Sequence, residues 1–187
     1  MNGKIVGLSG SLSRPSRTKV LVEAAVLRAA RRFGREGEVI ELSSIQASLG
    51  AAARLADLDE AAGAAVETLL QADGLVLASP VYKGSYGGLF KHLLDLLDPL
   101  SLAGKPVLLG ATGGGSRHAL VIEHQLRPLL GFFEAQTLAT GIYACDADFR
   151  DGELVSEALI SRLDRAVGQF APFFAPAPAL AARAAIA

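Results

Sequence analysis

Cysteine is almost missing from this chain. Cys145 is the only one, so no internal disulfide can form, which fits a reducing compartment. Its neighbours Asp146 and Asp148 would raise a thiol pKa, and a structural role is expected for it rather than a nucleophilic one. An excess of one charge is missing too. Eighteen basic and 19 acidic side chains give a formal net charge of −1 at pH 7, and without a basic surplus nucleic acid is not an expected partner. No run of 18 apolar residues is present, so no membrane span is expected. The chain enters an apolar strand at once, without the charged and apolar regions of a leader, and a cytoplasmic location is expected. His92, His118 and His124 do not cluster with the cysteine at ligand spacing, so no metal is expected. Neither the Gly-x-Gly-x-x-Gly dinucleotide fingerprint nor a Lys-containing P-loop occurs.

What is present is apolar bulk and a regular alternation. Of the 187 residues 51% are hydrophobic, enough for one well-filled domain, expected over residues 1–174. The Pro/Ala-rich stretch 175–187 reads as a disordered tail. Short apolar runs at Lys4–Leu8, Val39–Leu42, Gly74–Ala78, Pro106–Gly110 and Thr137–Tyr143 read as strands. Helical spacing falls between them, at Arg17–Gly34, Leu58–Gln71, Gly88–Leu97, Arg117–Phe133 and Leu154–Phe174. The polar, Ala-rich segment Ser43–Asp57 reads as an unusually long connection. Five strands alternating with five helices predict an α/β fold: a flavodoxin-like, five-stranded parallel sheet of order 2-1-3-4-5 with helices on both faces.

In such a sheet a ligand sits beyond the carboxyl ends of the strands. Three loops there are chemically distinctive. The first is Ser9-Gly10-Ser11-Leu12-Ser13-Arg14-Pro15-Ser16-Arg17-Thr18, a hydroxyl- and arginine-bearing turn that opens a helix. Unpaired N–H groups, hydroxyl donors and the helix dipole suit a phosphate monoester, although capping serines in an ordinary loop would look the same. The second is Ser79-Pro80-Val81-Tyr82-Lys83-Gly84-Ser85-Tyr86-Gly87-Gly88, where Tyr82 and Tyr86 could border a flat ring and glycines bare the backbone. The third is Ala111-Thr112-Gly113-Gly114-Gly115-Ser116-Arg117-His118, again small and amide-rich. Together they suit one elongated ligand such as FMN.

These three motifs, at their mutual spacing, resemble the NADPH-dependent FMN reductase family, over about residues 4–170. The resemblance is to the reductase components of two-component alkanesulfonate and methanesulfonate monooxygenase systems. It implies Ser9, Ser11, Arg14, Ser16, Arg17 and Thr18 around the FMN phosphate. Pro80, Val81, Tyr82, Lys83, Gly84 and Ser85 would line the isoalloxazine, with Thr112, Gly113, Gly114 and Ser116 on its other edge. NADPH or NADH would be the reductant, a flavin-dependent monooxygenase the partner, and a homodimer or homotetramer the assembly. A proline common in the second loop is Gly87 here, so a looser turn is expected. The family's reductases of this type carry a π-bulge in the helix after strand four, and His124 falls at that position. Pro128 would disturb the same helix.

With hydride chemistry belonging to the flavin, no acid–base pair is required of the protein, and no catalytic side chain is expected beyond His124 as a modulator. A 2′-phosphate could meet Arg117, Lys83 or Arg54, and sequence does not choose among them. Two other readings compete: a quinone or azo reductase of the same fold that keeps its flavin, and a flavodoxin-like electron carrier. The near-neutral charge and the arginines of the first loop speak against the carrier.

Overall fold

Alternation of apolar residues along each strand sends successive side chains to opposite faces of one sheet, and helices close over both faces. A computed structural model describes residues 3–174, so the tail expected at 175–187 lies outside the described residues. The elements run β1 (Lys4–Ser9), α1 (Arg17–Phe33), β2 (Glu36–Glu41), α2 (Leu42–Ala51), α3 (Glu60–Gln71), β3 (Gly74–Pro80) and α4 (Gly88–Asp95). They continue with β4 (Pro106–Gly113), α5 (Arg127–Phe132), β5 (Gln136–Thr137), β6 (Ile142–Cys145), β7 (Phe149–Arg150), β8 (Glu153–Leu154) and α6 (Glu157–Gly168). The sheet order is β2-β1-β3-β4-β5, all parallel, with β6 also paired to β4. The expected topology is therefore the observed one.

The central strand β3 is buried along its whole length, as a parallel strand covered on both faces must be. Leu75 and Leu77 face a core shared with α2, α3, α4 and α5, which holds Leu49, Val66, Phe90 and Leu130. Val76 and Ala78 face the opposite core, filled by Val22, Val26, Leu163 and Phe170 from α1 and the chain around α6. No described helix is long and apolar enough to cross a membrane.

Four expectations are corrected by the tertiary structure. The connection Ser43–Asp57 is mostly helix: α2 occupies Leu42–Ala51, followed by a 3-10 turn at Leu55–Asp57. Its buried residues Leu42, Ile45 and Leu49 do sit at helical spacing, but serine, alanine and glycine between them mute the contrast with the polar face. The single strand expected at Thr137–Tyr143 is two strands, β5 and β6, with a break between them. Arg127 fills that break, donating to Thr137 Oγ1 at 2.9 Å, Leu138 O at 2.9 Å and Ala139 O at 3.3 Å. The helix expected from Leu154 begins at Glu157 behind the cap of Ser156, whose hydroxyl accepts from Leu159 N at 3.3 Å.

The helix expected at Arg117–Phe133 is broken into three pieces. A 3-10 turn covers Ser116–His118, a π-helical segment covers Ile122–Leu126, and α5 follows. Arg127 N donates to Ile122 O, five residues back. Pro128 has no N–H to offer the carbonyl of His124, so the widened turn and the proline occur together for a common reason.

One glycine in a helix invites a clean stability test. Gly63 lies in the first turns of α3, and an added Cβ would meet nothing within 4 Å. Gly63→Ala is expected to stabilise the fold by about 1 kcal/mol, the usual helix-interior difference. That corresponds to a Tm rise of about 2–4 °C for a domain of this size, read by thermal denaturation. An unchanged or lower Tm would show that α3 adds nothing to global stability.

Candidate functional site

Strand register brings the loops together. Ser9 of β1 lies beside Ala78, Pro80 of β3 beside Thr112, and Gly113 of β4 beside Cys145. The chain leaving β1, β3, β4 and β6 therefore emerges along one edge of the sheet, as the parallel arrangement requires. There it encloses a cavity of about 570 Å³, the size of a small-molecule site.

The first loop forms one end. Ser11, Ser16, Arg17 and Thr18 line the cavity, together with Ser13 and Pro15, which the sequence did not single out. Ser16 caps α1: its hydroxyl oxygen accepts from Lys19 N at 3.1 Å, which leaves the hydroxyl proton free to donate. The first turn of α1 contains no acidic residue, and among the described residues the N–H groups of Arg17 and Thr18 make no hydrogen bond. An anion is the natural complement of such an end. Arg17 itself pairs with Asp146, across 129 residues of sequence. Thr18 and Thr112, both buried, join their hydroxyls at 2.7 Å and so tie the first loop to the third.

The other expected residues of that loop lie elsewhere. Ser9 is buried at the end of β1 and does not line the cavity. Arg14 reaches out to Ser43 Oγ at 3.3 Å and to Glu41 at 4.0 Å, at the junction of β2 and α2. Gly10 sits beneath the loop, where an added Cβ would come within 2.7 Å of Phe90 and 3.0 Å of Ala78 O.

From the second loop Pro80, Val81 and Tyr82 line the cavity, and Tyr82 is half-exposed beside it. Lys83, Gly84 and Ser85 do not. They close a tight hairpin in which Tyr82 N donates to Ser85 O at 2.8 Å and Ser85 N to Tyr82 O at 3.1 Å. Ser85 Oγ donates to Gln125 Oε1 at 3.1 Å, so this hairpin is fastened to the π-helical segment. It is Gln125 that makes this link, while His124 is exposed and outside the cavity lining. Tyr86 turns inward and packs on Phe90, with ring centroids 6.3 Å apart, instead of bordering the cavity. Gly87 has φ −65°, a value proline also adopts, and its N–H donates to Ser79 Oγ at 2.9 Å.

The third loop contributes Thr112, Gly113 and Gly114, while Ser116 starts the 3-10 turn away from the cavity. Its shape is fixed from below by Tyr143, whose hydroxyl donates to Gly115 O at 2.6 Å. Burial, helped by the nearby Asp146 carboxylate, pushes the Tyr143 phenol above its ordinary pKa, so it stays a donor. Gly113 lies directly over that hydroxyl, with no room for a side chain, whereas a Cβ at Gly114 or Gly115 would meet nothing within 4 Å.

A fourth loop went unrecognised in the sequence. Asp146, Phe149, Arg150, Asp151 and Gly152 line the cavity, with Asp146 touching Arg17 of the first loop. Phe149–Arg150 and Glu153–Leu154 pair antiparallel, and the two residues between them have φ +51° (Asp151) and φ +83° (Gly152). That is the two-residue turn that Asp-Gly favours, because both positions need a left-handed backbone. The Asp-Gly pair was the available signal.

Of the candidates for a 2′-phosphate, Arg54 is bound to Asp57 at 3.1 Å, away from the cavity. His92 holds the end of α2, with Nε2 2.9 Å from Ala52 O and 3.1 Å from Leu49 O. No group of three metal-ligating side chains occurs among the described residues.

The donor set fits FMN. Hydroxyls, first-turn amides and a guanidinium at one end complement a phosphate, and the bare glycine backbone with Pro80, Val81 and Tyr82 leaves space for a ring.

Comparison with known proteins agrees with this chemistry. Residues 3–149 match the NADPH-dependent FMN reductase family. The chain is 48% identical over 171 residues to an NADH-dependent FMN reductase SfnF of Pseudomonas fluorescens, covering 91% of each chain. It is 47% identical over 171 residues to an FMN reductase (NADPH) of Pseudomonas aeruginosa, covering 91% of this chain and 92% of that one. Among solved structures it resembles the apo form of an NADH:FMN oxidoreductase, with 32% identity and a TM-score of 0.82 over 95% of this chain and 92% of that one.

Proposed function

The chain belongs to the NADPH-dependent FMN reductase family, and from that premise we propose that it supplies reduced flavin to a separate flavin-dependent monooxygenase of the sulfonate type. It is an NAD(P)H:FMN oxidoreductase. The observation that carries the proposal is the cavity itself. Its arginine and hydroxyl end suits a phosphate, while Pro80, Val81, Tyr82 and the bare backbone of Gly113 and Gly114 leave space for a ring. Such a site grips FMN by one end and lets it leave.

In this reading Ser11, Ser16, Arg17 and Thr18 bind the phosphate, and Pro80, Val81, Tyr82, Thr112, Gly113 and Gly114 orient the ring. When bound, FMN supplies the hydride-accepting chemistry, and the nicotinamide supplies the hydride. The protein's own part is positioning. Tyr143 fixes the glycine loop through Gly115 O, Gln125 fixes the Tyr82–Ser85 hairpin, and Thr112 and Thr18 hold the two ends in register. The bare backbone of Gly113 and Gly114 is the part of this loop available to negative charge on the ring.

We place the protein in the cytoplasm as a homodimer or homotetramer. Phe132 and Leu120, 67% and 63% exposed around the π-helical segment and α5, are the apolar surface that a second copy would cover.

The test is NAD(P)H oxidation by flavin-stripped protein, with free FMN or a quinone as acceptor. Oxidation should saturate with FMN and need no quinone, and the protein should lose its colour on gel filtration. A yellow protein that oxidises NAD(P)H only with quinone present would establish the flavin-retaining reductase instead. Binding of FMN with no oxidation would leave the electron carrier.

A further inference from the structure

Arg17 has a partner that a phosphate would have to displace or share. Its guanidinium pairs with Asp146, the first residue beyond β6, and both side chains line the same cavity. The pair is half-exposed, 53% at Arg17 and 49% at Asp146. Among the described residues the Asp146 carboxylate makes no other hydrogen bond. The carboxylate near it, Asp148, is committed to Cys145 N at 2.8 Å. An acidic side chain placed at the mouth of an anion site, on the one arginine of the first loop that lines it, opposes the ligand that the site is built to take.

We propose that Asp146 competes with the flavin phosphate for Arg17 and so holds FMN affinity in the range of a substrate that comes and goes. The idea rests on the reading that Arg17 contacts the phosphate. A dianionic phosphate entering the loop must take donors from Asp146 and lie near its charge, which weakens FMN. Riboflavin has no phosphate and meets neither cost.

The measurement is flavin binding, by quenching of flavin fluorescence in a titration, with FMN and riboflavin in parallel. Asp146→Asn keeps the shape and removes the charge. It is expected to tighten FMN by about three- to tenfold at low ionic strength, the scale of an exposed ion pair plus one nearby repulsion, and less at high salt. Riboflavin affinity should not move. In an Arg17→Gln background the same substitution should have a smaller effect on FMN. If Asp146→Asn leaves FMN affinity unchanged or weakens it, Asp146 does not compete, and a weakened value would mean that it orients Arg17 instead. If Arg17→Gln leaves FMN affinity at its wild-type value, the phosphate contact itself is wrong and both readings fall. If Arg17→Gln weakens FMN while Asp146→Asn does not tighten it, only the competition fails.

Discussion

Replacing Gly113 with alanine is expected to cut kcat/KM for FMN about 10- to 100-fold while the sheet stays folded, because a displacement of about 1 Å in a positioning loop is enough to lose that much. An added Cβ would lie 2.3 Å from Tyr143 Oη and 3.3 Å from its Cζ, far inside contact distance. Either the ring or the strand end must shift. The tyrosine is not free to yield, since its hydroxyl holds Gly115 O at 2.6 Å and thereby sets the path of the glycine loop. Overpacking of this kind costs about 1–3 kcal/mol, and the freed hydroxyl and carbonyl add about 1 kcal/mol. The companion variant sharpens the test. Tyr143→Phe removes the colliding atom, so Gly113→Ala combined with Tyr143→Phe should recover part of the loss. Steady-state kinetics with varied FMN reads both. A Gly113→Ala enzyme with wild-type KM for FMN would mean that this loop does not position the ring.

The largest stability effect is expected from Phe90→Ala. Phe90 is fully buried on the inner face of α4 and is among the largest enclosed side chains of the domain. It packs under Gly10 at the root of the first loop and beside Tyr86 of the second. Removing it loses the transfer energy of the ring and leaves a cavity, together about 3–5 kcal/mol. At about 2–4 °C per kcal/mol, Tm should fall by roughly 6–20 °C. The denaturant midpoint should fall with an unchanged slope. Because the same ring supports two site loops, FMN binding should weaken even where the variant is still folded. Phe90→Leu, which keeps most of the volume, should lose much less. A drop below about 1.5 kcal/mol for Phe90→Ala would mean that α4 and the first loop collapse into the space.

How legible the site was depended on the range of the interactions. The hydroxyl-rich turn after β1 and the glycine turn after β4 were readable because strand, turn and helix signals there lie next to one another in sequence. So was a disturbance of the helix near Pro128, which follows from a single missing N–H, although not the division of that helix into three pieces. Gln125 was not, because its importance comes from Ser85, forty residues away, and not from anything in its own helix. Tyr86 looked like a ring-stacking residue by position, but the apolar core around Phe90 claims it. The fourth loop did carry a local signal, Asp151-Gly152, which the apolar spacing of the helix behind it obscured.

By itself the sequence determined the parallel order 2-1-3-4-5, the edge of the sheet at which the loops gather, and the hydroxyl- and arginine-bearing character of the turn after β1. All of these follow from local periodicity and turn chemistry, which a few consecutive residues encode. Only the tertiary structure decided that Thr18 answers Thr112, that Gly113 must be bare because Tyr143 lies beneath it, and that Arg17 is held by Asp146. Each of these joins residues at least 30 positions apart (94, 30 and 129), and such pairings exist only once the strands are in register.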